Sequence, residues 1–259
     1  MQSRAISRSV KVALPVVLAA LLWLPMHATA AWQPGDGAKI VRVDASAGGK
    51  TGHLQWVFTP GPPIDGEREW RLPPGQESRA IRSGPDVLAT VEDLLLQIQT
   101  DPAVSVAFAV SAGAADTTFS ITTASLAFAP ISTPLAFASA GVTVTDQNSN
   151  GATLAGLHDG DTIYEARYNA GPAVAFANLM TTVTAVADST NSDSDRSPAT
   201  GRTAIGVAVN KIEAEFYFEL TAGDSASGTS KFDVIPEPAT AGLAVLAFGG
   251  LVMLRRRRR

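Results

Sequence analysis

The strict alternation of side chains from Ile212 to Leu220 is the feature that most constrains the fold of this chain. Five apolar residues occupy every second position: Ile212, Ala214, Phe216, Phe218 and Leu220. The intervening positions hold polar or amphipathic residues: Lys211, Glu213, Glu215, Tyr217 and Glu219. Because successive side chains of a strand point to opposite faces, this pattern predicts a strand of an antiparallel sheet with one buried face.

The same period of two recurs along the middle of the chain. Apolar residues alternate with small ones from Val104 to Val110 and again from Ile205 to Val209, with turn-forming residues between such runs. Many short strands without regular strand and helix alternation predict a mainly β protein, an antiparallel β-sandwich. One packed helix is predicted at about residues 85–99, from apolar residues at a spacing near 3.6: Val87, Leu88, Val91, Leu94, Leu95 and Ile98.

The predicted ectodomain has two parts. Residues 31–83 are rich in glycine, proline and charge, which predicts an irregular N-terminal extension of short strands and loops, with one strand at 52–58. Residues 84–234 form the predicted β-sandwich. Residues 31–235 hold 12 basic and 23 acidic side chains, so their net charge is near −11. An acidic domain of this kind argues against nucleic acid as a partner.

The N-terminal 30 residues have the three parts of a secretory signal peptide. Arg4, Arg8 and Lys11 precede an apolar stretch that leads to Ala28-Thr29-Ala30. Small residues at this spacing are typical of a signal peptidase site, so cleavage is predicted between Ala30 and Ala31. The chain is therefore predicted to be exported across the inner membrane.

The C-terminal residues 235–259 combine a proline motif, an apolar run and a basic end. Pro236-Glu237-Pro238 precedes sixteen apolar or small residues, 239–254, and the chain then ends in Arg255, Arg256, Arg257, Arg258 and Arg259. As a helix this run would be about 24 Å long, which spans a hydrocarbon core of about 30 Å only marginally. The arginines are predicted to stop transfer and stay cytoplasmic, and the prolines hold the preceding backbone extended.

This order of motif, apolar run and arginines resembles the PEP-CTERM sorting signal. The resemblance implies that an exosortase, a membrane protease-transpeptidase of Gram-negative bacteria that make extracellular polysaccharide, recognises the tail. The chain ahead of the signal is also similar to β-rich ectodomains that precede such signals and have no assigned activity. The resemblance thus implies transient single-pass membrane insertion, followed by a final location at the cell surface or outside the cell.

Asp146-Gln147-Asn148-Ser149-Asn150-Gly151 matches the opening of a calcium-binding loop. Oxygen ligands at Asp146, Asn148 and Asn150 alternate so that they can converge on one ion, and the glycine permits a sharp turn. The closing carboxylate of such a loop is missing, because its twelfth position is Leu157. A polar hairpin turn that joins a strand ending at Asp146 to a partner strand at 152–157 explains the same residues, so both alternatives remain open.

The other polar groups do not form a recognisable catalytic motif. His53 and His158 lack metal-ligand spacing and are predicted to be surface histidines. Glu213, Glu215 and Glu219 are interpreted as a solvated strand face. The polar segment 188–197 has too few apolar groups to pack and is predicted to be a mobile loop.

These observations favour a non-enzymatic protein of the cell surface or extracellular matrix that needs no cofactor, with calcium binding left as an open alternative. Signal peptidase, an exosortase and the inner membrane are its expected processing partners, and exopolysaccharide is an open alternative as a ligand. A second hypothesis is a permanently anchored module that binds carbohydrate or calcium. A third is a secreted hydrolase whose carboxylates are far apart in sequence.

Overall fold

Strands with one apolar face bury that face by packing against a second sheet, and this chain does so. The computed structural model describes residues 39–58, 67–73, 79–99, 101–123, 125–169 and 173–237. Within these ranges the chain forms two antiparallel sheets, and no described residue is helical. The prediction of a mainly β protein with an antiparallel sandwich is confirmed.

The first sheet contains nine strands in the described part of the chain. They are β1 (Lys39–Ala47), β2 (Lys50–Phe58), β7 (Thr117–Thr122), β8 (Leu126–Ile131), β10 (Ala152–Gly156), β11 (Tyr164–Tyr168), β12 (Val174–Leu179), β13 (Thr182–Ala185) and β16 (Val209–Leu220). Its main path runs β12, β11, β16, β7, β1, β2, and β16 also pairs with β8 and β10. The longest of these strands, β16, therefore organises the sheet.

The second sheet contains eight described strands. They are β3 (Glu67–Arg71), β4 (Arg79–Ser83), β5 (Asp86–Gln99), β6 (Ala103–Ala112), β9 (Pro134–Thr145), β14 (Thr190–Ser197), β15 (Thr203–Ala204) and β17 (Ser225–Pro236). Its main path runs β14, β9, β17, β6, β5, β3, with β15 beside β9 and β4 beside β5. The chain crosses between the two sheets repeatedly, so residues distant in sequence become neighbours.

Aromatic side chains fill the space between the sheets. Phe108 of β6 reaches across the core to Phe216 and Phe218 of β16, with ring centroids 4.9 and 5.8 Å away. The five apolar residues predicted to face inward on β16 are all buried, which confirms the prediction made from their alternation. Gly228 of β17 makes room for Phe108, because a Cβ atom at Gly228 would lie 2.5 Å from that ring.

The predicted helix at 85–99 is wrong, because Asp86–Gln99 forms β5. A register shift between Val91 and Asp93 displaces the alternation by one residue, so that Ala89 and Val91 are buried before it and Leu94 and Leu96 after it. When two runs with an apolar residue at every second position are joined with a shift of one residue, the spacing of their apolar residues resembles that of a helix face. Tertiary pairing with β6 on one side and β3 and β4 on the other decides the outcome.

Residues 31–83 contribute strands to both sheets, and the predicted strand at 52–58 is part of β2. β1 pairs with both β2 and β7 in the first sheet, while β3 and β4 pair with β5 in the second. Val41 and Val43 are fully buried in the core. The glycine and proline content of this region marks its turns, but its strands belong to the sandwich.

The predicted mobile loop at 188–197 is also wrong over most of its length, because Thr190–Ser197 forms β14 at the edge of the second sheet. Hydroxyl pairs replace apolar packing between β14 and β9, including Thr145 with Thr190 at 2.9 Å. Along β14 the Oδ1 atoms of Asn191, Asp193 and Asp195 each accept a hydrogen bond from the next backbone N–H. These side chains satisfy donors that an edge strand otherwise offers to another chain.

Candidate functional site

The predicted sorting motif lies partly within the fold. Pro236 is the last residue of β17 and pairs with Pro134 of β9. The backbone N–H of Glu237 donates a hydrogen bond to the carbonyl oxygen of Thr133 at 2.9 Å. Pro238, the apolar run 239–254 and the arginines 255–259 lie outside the described residues, as do Ala28, Ala30 and Ala31 of the predicted cleavage site.

Among the described residues, no helix is long and apolar enough to cross a membrane.

The predicted calcium loop connects the two sheets. β9 ends at Thr145 in the second sheet, and β10 then pairs with β13 and β16 in the first sheet. The predicted hairpin between these strands is therefore wrong, because β9 and β10 belong to different sheets. Asp146 lies at the crossing and is 8% exposed.

The Asp146 carboxylate binds backbone amides around this crossing. Its Oδ2 atom accepts a hydrogen bond from the N–H of Asp188 at 2.6 Å, and its Oδ1 atom accepts longer ones from Asn148 and Asn150 at 3.4 and 3.3 Å. Burial raises the pKa of Asp146, but these amides and that of Gly151 together set the pKa below its ordinary value. The carboxylate is thus anionic and already supplied with hydrogen-bond donors.

The side chain of Asn148 also has protein partners. The Nδ2 atom of Asn148 donates to the carbonyl oxygen of Ala222 at 2.7 Å, and its Oδ1 atom accepts from the N–H of Asn150 at 3.2 Å. Within the part of the chain that the structure describes, no three acidic or histidine side chains converge as a metal site. Calcium at Asp146, Asn148 and Asn150 stays a prediction.

A second group of polar side chains, which we call the Arg167 cluster, contains Arg167, Glu165, Glu213, Glu215 and His158. The register of β11 and β16 creates it, because Glu165 lies opposite Glu215 and Arg167 lies opposite Glu213 on the outer face of the first sheet. The Arg167 Nε atom is 2.8 Å from Glu165, its Nη1 atom is 3.5 Å from Glu213, and its Nη2 atom contacts Glu215. One guanidinium therefore holds three carboxylates.

The Arg167 cluster corrects two interpretations of the sequence. The side chains of Glu213 and Glu215 are only 26% and 17% exposed, so they are ion-paired rather than solvated, whereas Glu219 is exposed as predicted. His158 was predicted to be a surface histidine, but its side chain is 8% exposed. Its position follows from the chain turn after β10, which no local pattern indicates.

His158 lies against the cluster in its neutral form. Its Nδ1 atom is 3.7 Å from Glu165, and its Nε2 atom is 3.4 Å from the carbonyl oxygen of Glu215. Burial, the larger cause, and repulsion from Arg167 together lower the pKa of His158 to about 4, against the opposing effect of Asp159. At neutral pH the imidazole is therefore uncharged and acts as a packed, hydrogen-bonding group.

The outer face of the second sheet carries a shallow trough. Its two parts, of about 490 and 450 Å³, share Gly141, Ser194 and Thr229. Arg196, Lys231 and Asp195 line one part, and Asp93 and Asp193 line the other. Small hydroxyl and methyl side chains from β6, β17, β9 and β14 give this face its low relief.

The tryptophans of the described region belong to the core. Trp56 is 8% exposed, and Trp70 packs against it with ring centroids 5.9 Å apart. Both side chains therefore contribute to the packing of the core. Trp32 lies outside the described residues.

Comparisons with known proteins give no family. No family model matches the chain, and no curated protein matches it. The structure of the Gx strain of infectious bursal disease virus is 12% identical, with 85% of this chain and 73% of that chain covered and a TM-score of 0.18. The VP2 subviral particle of the same virus is 10% identical at the same coverages, with a TM-score of 0.10. Similarity this low carries no information about function.

Proposed function

We propose that this chain is an exported, non-enzymatic protein of the cell surface or extracellular matrix, processed by an exosortase at Pro236-Glu237-Pro238. The observation that carries the proposal is the position of the motif relative to the described strands. Val234 is fully buried, Glu237 makes a backbone hydrogen bond, and the motif continues directly from this strand. Among the described residues, every buried core residue thus lies ahead of the motif.

The Arg167 cluster supports a structural role for its carboxylates. A glycosidase needs one carboxyl group to carry a proton while the other is ionised. Glu213 and Glu215 instead share one guanidinium, and Ser120 donates a hydrogen bond to Glu215 at 2.7 Å. Both carboxylates are thus occupied by partners within the protein, which supports a structural role for this pair.

The test is intact-mass spectrometry of the protein from its own host, with the membrane and the culture fluid analysed separately. We expect a mature chain that begins at Ala31 and has lost the C-terminal arginines. Substitution of all three motif residues by alanine should leave Arg259 attached, whereas the exposed Glu219→Ala should be processed normally. Retention of Arg259 in every fraction of the natural protein would contradict the proposal.

The trough on the second sheet favours a second candidate, a permanently anchored carbohydrate-binding module. Its hydroxyl groups offer hydrogen bonds to a glycan, and Arg196 and Lys231 offer charge to an acidic one. Retention assays of the full chain on immobilised neutral and uronic polysaccharides test this candidate. Loss of retention on substitution of Lys231 by Ala, but not of the exposed Lys50, would support it.

Calcium binding by this second candidate is tested separately. Thermal unfolding of the natural chain and of Asp146→Asn is measured in three conditions: with about 1–5 mM calcium, with magnesium, and with a chelator. An ion that binds only the folded state raises the melting temperature with concentration. A calcium-specific rise that the substitution removes would support the site, and equal melting temperatures in all conditions would refute it.

A further inference from the structure

The last strand of the second sheet continues into the sorting motif. β17 pairs with β9 without interruption from Ser225 to Pro236, and Ile235 lies opposite Leu135. The hydrogen bond from the Glu237 N–H to Thr133 extends the pairing by one more residue. Two of the three motif residues are therefore part of the folded domain.

The end of β17 is held from more than one side. The side chain of Val234 is fully buried, and its backbone N–H donates to the carbonyl oxygen of Pro102 at 2.9 Å. On the far side of β9, β15 pairs with Leu135 and Ala136, and the N–H of Ile205 donates to Pro134 at 2.9 Å. The strand that receives Ile235 and Pro236 is thus itself fixed on both edges.

A protease must take its substrate out of such pairing before it can cut. Many enzymes and receptors bind an extended peptide through its backbone hydrogen-bonding groups, and those of residues 234 and 237 already have partners in the domain. Release of the strand end breaks these two hydrogen bonds, each of which contributes about 1 kcal/mol. The released strand end is therefore about 30-fold less populated than it would be without them.

We infer that the folded ectodomain fixes the position of the processing cut: the scissile bond lies on the C-terminal side of Glu237. The inference rests on the proposed function, since it locates the cut that an exosortase would make. The domain acts as a stop, because every peptide bond from Ser225 to Glu237 lies within β17 or within its last hydrogen bond to β9. The mature protein then keeps β17 intact, and its last core residue, Val234, stays buried.

Two measurements on the full-length chain test this inference. The first is amide hydrogen exchange of the purified protein, in which the amides of Val234 and Glu237 should exchange about 30-fold or more slowly than in the unfolded chain. Exchange of both at the unfolded rate would overturn the inference, whatever happens in the host. The second is the C-terminal mass of the mature protein from the host, which should end at Glu237 or later. An end between Ser225 and Pro236 would overturn the inference even though processing occurs.

A matched pair of variants separates local opening from general effects of substitution. Val234→Gly loosens the end of β17 and should allow mature chains that end upstream of Pro236. Ser227→Gly changes an exposed position of the same strand and should keep the original end. If Val234→Gly exchanges faster at Glu237 but still yields only the original end, the domain does not set the cut and the inference fails. If Arg259 is retained while the amides of Val234 and Glu237 exchange slowly, the proposed function is refuted. The slow exchange would still show that the end of β17 is held in the sheet.

Discussion

His158 gives the sandwich a defined sensitivity to acid, which the substitution His158→Gln should reduce. The folded pKa is about 4, compared with about 6.5 for an unperturbed histidine in the unfolded chain. Between these two values the unfolded state binds a proton that the folded state does not. The free energy of unfolding therefore rises with pH in this window, and the stability that the neutral imidazole supplies is lost as the pH falls.

The size of the effect follows from the two pKa values. One pKa unit corresponds to about 1.4 kcal/mol. Linkage then predicts that this histidine alone costs at most about 2 kcal/mol between pH 7 and pH 5, and about 3 kcal/mol between pH 7 and pH 4. Residual access of water to a side chain that is 8% exposed reduces these values rather than increasing them.

The assay is denaturant unfolding at pH 7, 6, 5 and 4, followed by tryptophan fluorescence. We expect the free energy of unfolding of His158→Gln to fall less steeply on acidification than that of the natural chain. His53→Gln, at an exposed position of β2, is the matched control and should keep the original steepness. Parallel curves for His158→Gln and the natural chain would refute the assignment of a buried neutral imidazole.

Three further substitutions test the packing and the edges of the sandwich. Gly228→Ala should destabilise the fold by about 1–3 kcal/mol in denaturant unfolding through overpacking, whereas Gly206→Ala, which has open space around it, should change stability little. Asp233→Ala removes the ion pair with Arg202, in which the carboxylate is 6% exposed, and should lower the free energy of unfolding by about 1–3 kcal/mol. Asp86→Ala removes an exposed ion pair and should lower the free energy of unfolding by only about 0–1 kcal/mol. Asp193→Val frees an edge N–H of β14 and should increase concentration-dependent association in light scattering, and an unchanged particle size would count against the edge argument.

The sequence pattern predicts a strand reliably where the alternation is uninterrupted. On β16 the apolar and polar positions keep one phase from Ile212 to Leu220, and each predicted inward residue is buried. On β5 the phase changes at the register shift after Val91, and the same apolar residues then fit a helix. The shift depends on pairing with β6, so the residues of β5 do not reveal it by themselves.

The sequence does not predict the polar strand β14 or the partly buried Glu213 and Glu215, for a related reason. β14 has almost no apolar side chain, and it is a strand because β9 offers a hydroxyl ladder and an open edge. Glu213 and Glu215 have the spacing of a solvated face, but Arg167 from the neighbouring strand pairs with both of them. In both cases the deciding partner lies tens of residues away in the chain.

The sequence by itself determines the class of fold, and it predicts the signals at the two ends. Period-two alternation is local, because side chains of a strand alternate whatever the strand pairs with, and two-sheet packing follows from burial of one face. The predicted signal peptide and the PEP-CTERM resemblance are likewise read directly from consecutive residues. Only the tertiary structure decides which strands pair, where the register shifts, and that β17 carries Pro236 and Glu237 into the sheet. These depend on hydrogen bonds and packing between distant segments, whose free energies exist only once the sheets have formed.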